Sequence, residues 1–252
     1  MSTWADLATE LAQWSGQGRH AGLWWRDDDA VTSGPKLRQL TILSKSHHVP
    51  LAMAVIPGLA EDALGEAVSD LPGVSFLVHG LKHQNHAPEG QKKAEFGDHR
   101  PIPEMLEDAT RAWEALSSRF PKLAQPVFVP PWNRIDDALA RQLHGAGFQG
   151  LSRFGAGDVS LGPLAEKNCH LDLINWRGDR GFIGQELALE SLISHLQARR
   201  AGPVNEDESS GVLSHHDVMG PDSWGFLAEL FARTQESDAA HWLTIDEVFR
   251  LP

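Results

Sequence analysis

Strand-like apolar runs alternate with amphipathic helical segments seven or eight times along these 252 residues, and this alternation constrains the fold more than any other feature. Strands that each lead into a helix pair in parallel through right-handed crossovers, so the pattern predicts an α/β fold. No GxGxxG and no phosphate-binding glycine loop follows any strand, which removes the main support for a nucleotide-binding open sheet. A chain of this length matches a (β/α) barrel, and 1–252 is read as one domain.

Leu7, Leu11 and Trp14 predict an amphipathic helix over 3–14, inside an N-terminal segment 1–20, broken by Gly16, Gly18 and Gly22. Leu23-Trp24-Trp25 predicts a short buried strand that ends in Arg26-Asp27-Asp28-Asp29. The apolar run 49–56, stopped by Pro57-Gly58, predicts a strand buried on both faces. Further strands are expected at 74–78, 127–129, 148–152, 170–176, 212–215 and 242–245. Helices are expected at 35–46, 59–68, 103–119, 136–146 with Gly147 as C-cap, 185–199 and 223–233. Stretches 155–163 and 202–210 read as loops. The segment from 80 to 100 is polar and aperiodic, so 84–102 is expected to form a long functional loop on the substrate side.

Composition excludes several classes. At 41% hydrophobic and 22% charged residues the chain can bury an ordinary core. Its 34 acidic and 22 basic residues leave a net charge of −12, which argues against nucleic acid or an anionic membrane as a partner. A lone cysteine, Cys169, excludes an internal disulfide framework and a multi-cysteine zinc site, and fits a reducing compartment. Asp6 and Glu10 interrupt the first 22 residues, unlike a secretory signal, and the longest apolar run, 51–56, is far short of the roughly 20 residues of a membrane span. A soluble, cytoplasmic protein is the expectation.

Ionisable residues gather at the C-terminal ends of the predicted strands: Asp27-Asp28-Asp29, His79 with His83, the segment Pro130 to Arg134, and His215-His216-Asp217. In a barrel those ends surround one pocket. His79 and His83, four apart, can meet on a helical turn or across a tight loop, with His86 a third candidate. Two imidazoles and one carboxylate with a position left for water form a catalytic divalent-metal site; a solvated histidine-rich loop is the alternative. Three adjacent carboxylates repel one another unless a cation neutralises them, the alternative being an acidic turn that caps the next helix. One would hold the ion while its neighbour accepts a proton from water. If Leu213 faces inward, period two turns His215 inward too and leaves His216 a flank. Asp172 is a candidate to orient His215 by a hydrogen bond, with a cap or surface role equally open.

From about Leu23 to Phe249 the chain resembles the polysaccharide deacetylase (NodB-homology) family of carbohydrate esterases. The resemblance implies a distorted (β/α)7–8 barrel. Arg26-Asp27-Asp28-Asp29-Ala30 is similar to the family's Thr-Phe-Asp-Asp-Gly, which implies Asp28 as general base and Asp29 as metal ligand; Asp27 with Asp28 is the other register. His79-Gly80-Leu81-Lys82-His83 is similar to His-Ser/Thr-x-x-His and implies both histidines as ligands. Val129-Pro130-Pro131-Trp132-Asn133 is similar to Arg-Pro-Pro-Tyr-Gly, and Asp172 to Trp176 is similar to a motif ending in Asp-Trp. Leu213-Ser214-His215 is similar to Leu-x-His, implying a pocket wall and the general acid. Three positions depart: the third motif's arginine, which pairs with the base, is Val129, with Arg26 or Arg134 the candidates to replace it; the fourth motif's final aspartate is Asn175; and the second motif's hydroxyl residue is Gly80.

The resulting expectation is a metal-dependent hydrolase of carbon–nitrogen bonds other than peptide bonds, removing an N-acetyl group from a sugar or another N-acetylated small molecule. Zinc is the first choice of ion, with Co, Ni, Fe or Mn compatible. Asp28 and His215 are the expected acid–base pair, and Asp29, His79 and His83 the ligands. Pro131, Trp132, Asn133, Trp176 and Leu213 would contact substrate, supported by Arg26, Asp172 and Arg134. The alternatives are a non-catalytic carbohydrate-binding or regulatory barrel, favoured by the missing arginine, and an amidohydrolase of non-sugar amides.

Overall fold

A computed structural model describes residues 1–157, 161–202, 204–205 and 207–251. The elements run α1 (Trp4–Gly16), β1 (Ala21–Ala30), α2 (Pro35–His47), β2 (Leu51–Val55), α3 (Asp62–Val68), β3 (Val74–His79), α4 (Ile102–Arg119), β4 (Ala124–Val129), α5 (Asp137–Ala140), β5 (Gly150–Leu151), β6 (Ala165–Glu166), β7 (Cys169–Asp172), α6 (Gln185–Ala201), β8 (Ser210–Ser214), α7 (Pro221–Gln235), β9 (Ala240–Trp242) and α8 (Ile245–Phe249). The strands pair in parallel in the order β6-β5-β4-β3-β2-β1-β8-β7, with β9 beside the start of β1. A parallel bridge from Phe154 to Cys169 draws the segment after β5 toward β7, so the sheet curls into a distorted barrel. Among the described residues no helix is long and apolar enough to cross a membrane.

Period-two alternation divides the core in two. Leu23, Trp25, Met53, Phe76, Val78 and Phe128 face outward and pack under the helices together with Leu7, Leu11 and Trp14 of α1. Trp24, Ala52, Ala54, Leu77, Val127, Val129, Cys169 and Leu213 face the barrel interior, closed from below by Ile245, Val248 and Phe249 of α8. The inward face of β1 therefore reads Trp24, Arg26, Asp28, apolar at the bottom and ionic at the rim. Cys169 lies in the apolar interior, and burial pushes its thiol up to about 12, so it is no nucleophile.

Several boundaries differ from expectation. Strand β1 is longer than the expected short strand and runs through the aspartates to Ala30, because Arg26, Asp27 and Asp28 all find buried partners, Arg26 and Asp28 on the inner face and Asp27 on the outer. The helix expected at 136–146 is broken into α5 and a 3-10 turn, Leu143–Ala146, although Gly147 does cap it with φ +92°. The strand expected at 170–176 stops at Asp172, and Trp176 stands on the turn beyond. The helix expected at 59–68 begins only at Asp62, and the two-residue β6 was not anticipated. Parts of the loops expected at 155–163 and 202–210 lie outside the described residues.

Candidate active site

The rim of β1 is shaped by a bulge. Asp27 pairs with Met53 and Ala30 with Val55, so Asp28 and Asp29 together oppose Ala54. Asp29 takes the extra residue's turn with φ +72°, a left-handed conformation that aspartate adopts more readily than most side chains. The bulge breaks the alternation, so the side chains of Asp28 and Asp29 both serve the rim. Asp27 faces the other way. Its fully buried carboxylate accepts from Ser214 Oγ and from the His216 N–H (3.0 Å) and pairs with His216 Nδ1, tying β1 to β8. The register Asp27 with Asp28 is thus not the one the fold builds toward the histidines, and His216 belongs to this tie.

Asp29 Oδ1 lies 3.0 Å from His79 Nε2 and 3.3 Å from His83 Nε2. His79 Nδ1 donates to the Val129 carbonyl (3.0 Å), which fixes the ring and aims Nε2 at Asp29. The spacing of four works across a loop, not along a helix: Gly80 (φ +60°) and His83 (φ +55°) are both left-handed. The two rings stand 5.1 Å apart and tilted by 46°, so their Nε2 atoms converge on one carboxylate oxygen. One oxygen and two nitrogens with lone pairs directed at a common point suit a divalent ion of zinc type. His86 is not part of this group.

Burial pushes the Asp29 carboxyl up, but the His79 hydrogen bond and the charges of His79, His215 and His83 outweigh it and hold it well below the usual range. Burial likewise pulls His79 down, yet the bond to Asp29 and the charges of Asp28 and Asp29 raise it overall, whereas His83 is lowered by burial and by His79. The consequences for ion-free protein have opposite signs. Asp29's contribution to stability is present above about pH 4 and is lost as pH falls through its depressed value; His79's is present below about pH 6.5 and is lost as pH rises through its raised value. With chelator, the pair's contribution to thermal stability is therefore expected to peak between those limits, and the peak to vanish in Asp29→Asn. A divalent ion, which requires neutral imidazole, is expected to shift the optimum upward. Melting curves across pH, with and without ion, check this.

Arg26, fully buried, answers the absence of an arginine at 129. Its Nε and Nη2 donate to the two oxygens of Asp28 (2.8 and 3.0 Å), a bidentate fork two residues along the same strand face. Nη2 also donates to Asn133 Oδ1 (2.8 Å), and Nη1 to Ser152 Oγ and the Arg153 carbonyl. Ser152 carried no signal in the sequence. Arg134 instead points to the Lys93 carbonyl, 2.7 Å away, and takes no part. Asn133 is thereby committed to Arg26. Trp132 and Asn133 are consecutive left-handed residues (φ +57° and +56°) in the turn Pro131–Asn133, where local strain places the Trp132 ring 4.2 Å from that of His83.

At the same rim, on the far side of β8, Asp172 Oδ2 accepts from Trp176 Nε1 (2.8 Å) and Oδ1 from the Ile174 N–H (3.0 Å). Asp172 thus does not orient His215 through a hydrogen bond: His215 Nδ1 is buried without a partner among the described residues. Burial pushes the Asp172 carboxyl up against the pull of the His215 charge. The indole that Asp172 pins stands edge-on to the His215 ring at 4.7 Å, and is 41% exposed. Leu213 is fully buried in the barrel interior beneath, and Pro131 is buried beside Gly80.

A second trio, His170, His195 and Glu208, comes close outside the barrel without the same geometry. Its rings stack face to face at 3.4 Å and 16°, so in-plane lone pairs cannot meet at one ion. His170 Nδ1 accepts from the Gly211 N–H, which leaves its proton on Nε2, donated to Glu208. This is a hydrogen-bonded strut on a bulged strand.

No family model and no curated protein matches the sequence. Solved structures do match the fold. A Mycobacterium smegmatis protein described as a polysaccharide deacetylase aligns over 92% of this chain and 90% of its own, with 15% identity and a TM-score of 0.63. A family 4 carbohydrate esterase from Streptomyces lividans, in complex with acetate, aligns over 91% and 94% with 13% identity and a TM-score of 0.57. A mutant of a family 4 pseudoenzyme with restored enzymatic activity aligns over 91% and 68% with 12% identity and a TM-score of 0.58. The structural neighbours are described as polysaccharide or peptidoglycan deacetylases or as members of carbohydrate esterase family 4, a pseudoenzyme among them, and this chain shares their fold.

Proposed function

We propose that the protein is a divalent-ion-dependent deacetylase that hydrolyses an N-acetyl group on a sugar or sugar-like amine. The observation that carries this reading is the convergence of His79 Nε2 and His83 Nε2 on Asp29 Oδ1 beside a separately held carboxylate, Asp28. Asp29, His79 and His83 would hold the ion. When bound there, a zinc-type ion supplies Lewis-acid polarisation of the acyl carbonyl and lowers the pKa of a water to about 7.

The chain's own residues supply the proton transfers. Asp28, held by the Arg26 fork, accepts the proton that the attacking water gives up. His215, at the end of the neighbouring strand β8 beside Trp176, delivers a proton to the departing nitrogen, which leaves poorly as an anion. The pinned, half-exposed Trp176 indole offers a flat face for a sugar ring.

Fold alone does not entail activity, as the pseudoenzyme among the neighbours shows. The feature that favoured a binding-only barrel was valine at 129, and the Arg26 fork on Asp28 removes that ground. Acetate release from N-acetylated mono- and oligosaccharides by zinc- or cobalt-loaded protein is expected, with loss on chelation and return on adding the ion back. Release from simple aryl amides but from no sugar would favour the amidohydrolase. Intact ion-loaded protein that releases nothing from any acyl amine would sink the catalytic reading.

A further inference from the structure

The segment between His83 and α4, expected as a long loop on the substrate side, also reaches back to the loop that carries His83. Glu95 is buried, and its carboxylate accepts the N–H groups of Leu81 (3.3 Å), Lys82 (2.9 Å) and His83 (3.1 Å). Three successive amides turned to one side form an anion nest. Burial pushes the Glu95 carboxyl up, while the N–H donors pull it down.

The carboxylate is itself locked in place. The next residue, Phe96, is fully buried edge-on to Phe128 of β4 at 5.0 Å, and its carbonyl accepts from the Asp136 N–H (2.7 Å). Arg100 donates to the Glu95 carbonyl (3.2 Å) and to Asp108 (2.6 Å). Asn85 Oδ1 accepts from the N–H groups of Ala87 and Ala94, closing the intervening chain into a compact loop. Gly80 completes the fit: its φ of +60° is left-handed, and a Cβ there would overlap the Glu95 carboxylate and Pro131. The hydroxyl-bearing side chain of the motif that this segment resembles would have no room.

We propose that Glu95 is a positioning residue for His83, its buried carboxylate filling the 81–83 nest and so setting where the second imidazole of the ion site stands. The inference rests on the ion site proposed above. An outer partner that orients a ligand typically changes ion affinity 10–100-fold. In Glu95→Gln one acceptor oxygen becomes an NH2 group facing backbone donors, so the nest loses its occupant at nearly constant volume.

The test is a cobalt(II) titration of the full chain followed by its visible absorption, with zinc competition for affinity and circular dichroism for the fold. Wild-type protein is expected to bind one cobalt. Glu95→Gln is expected to bind it 10–100-fold more weakly, with a spectrum moved toward that of His83→Ala. Gly80→Ala, which displaces the same carboxylate from the other side, is expected to do likewise, and it decides the matter should Glu95→Gln lose the fold. Folded variants with wild-type affinity and spectrum would overturn the role of Glu95 and leave the ion site standing. Wild-type protein that takes up no cobalt would overturn the site and this inference together.

Discussion

Arg26→Met is expected to destabilise the protein by about 3–5 kcal/mol, because it strands the Asp28 carboxylate in the barrel interior without its counter-charge. For a chain of this size that is a fall in melting temperature of roughly 10 °C. The cause is desolvation more than lost attraction. Asp28 is 2% exposed, and both its oxygens are taken by the one guanidinium. Arg26→Lys keeps the charge but cannot reproduce the fork, so it should recover only part of the loss. The double variant Arg26→Met/Asp28→Leu should regain most of it, since replacing a whole buried pair by apolar groups is often neutral where breaking it is not. A melting temperature for Arg26→Met within about 2 °C of wild type would show that Asp28 is neutral or solvated. The support claimed for it would then fail.

Asp28→Asn is expected to lower kcat for N-acetyl hydrolysis 10²–10⁴-fold, with much smaller changes in KM and in cobalt affinity. The asymmetry follows from position: Asp28 lies outside the Asp29–His79–His83 trio, so its loss would remove the proposed proton acceptor and leave the proposed donors to the ion intact. Because the same change deprives Arg26 of its partner, rates are to be compared well below the melting transition of the variant, with the fold checked by circular dichroism. Residual activity above about 10% of wild type is more than loss of a general base permits, and it would assign the proton transfer elsewhere.

Much of the architecture was legible because its determinants are local. Helix faces such as Met105, Ala109 and Leu116 repeat at helical spacing, and Leu51 to Val55 is continuously apolar because both of its faces are covered. The misplaced boundaries lie where long-range partners override the pattern. Carboxylates extend β1 because Arg26, Ser214 and His216 reach them from elsewhere in the chain, and the helix at 136–146 breaks although its sequence carries an intact cap.

The site divides along the same line. His79 and His83 were legible as a pair because four residues of chain hold them together whatever the rest does, and the strand ends placed the aspartates and His215 on one rim. Which two of the three aspartates turn inward depends on a bulge set by pairing with β2, and period two alone assigns the faces wrongly there. That Arg26 and not Arg134 holds Asp28, that Asp172 serves Trp176 and not His215, and that Glu95 closes over the loop before it are all matters of side-chain packing in three dimensions. The order of residue types along this chain determined a parallel barrel with its ionisable groups at one mouth, since periodicity and strand direction are properties of the chain itself. Only the folded protein decided which charges meet, because a buried ion pair forms where strand register, a left-handed turn and desolvation coincide, and none of these is written at a fixed spacing.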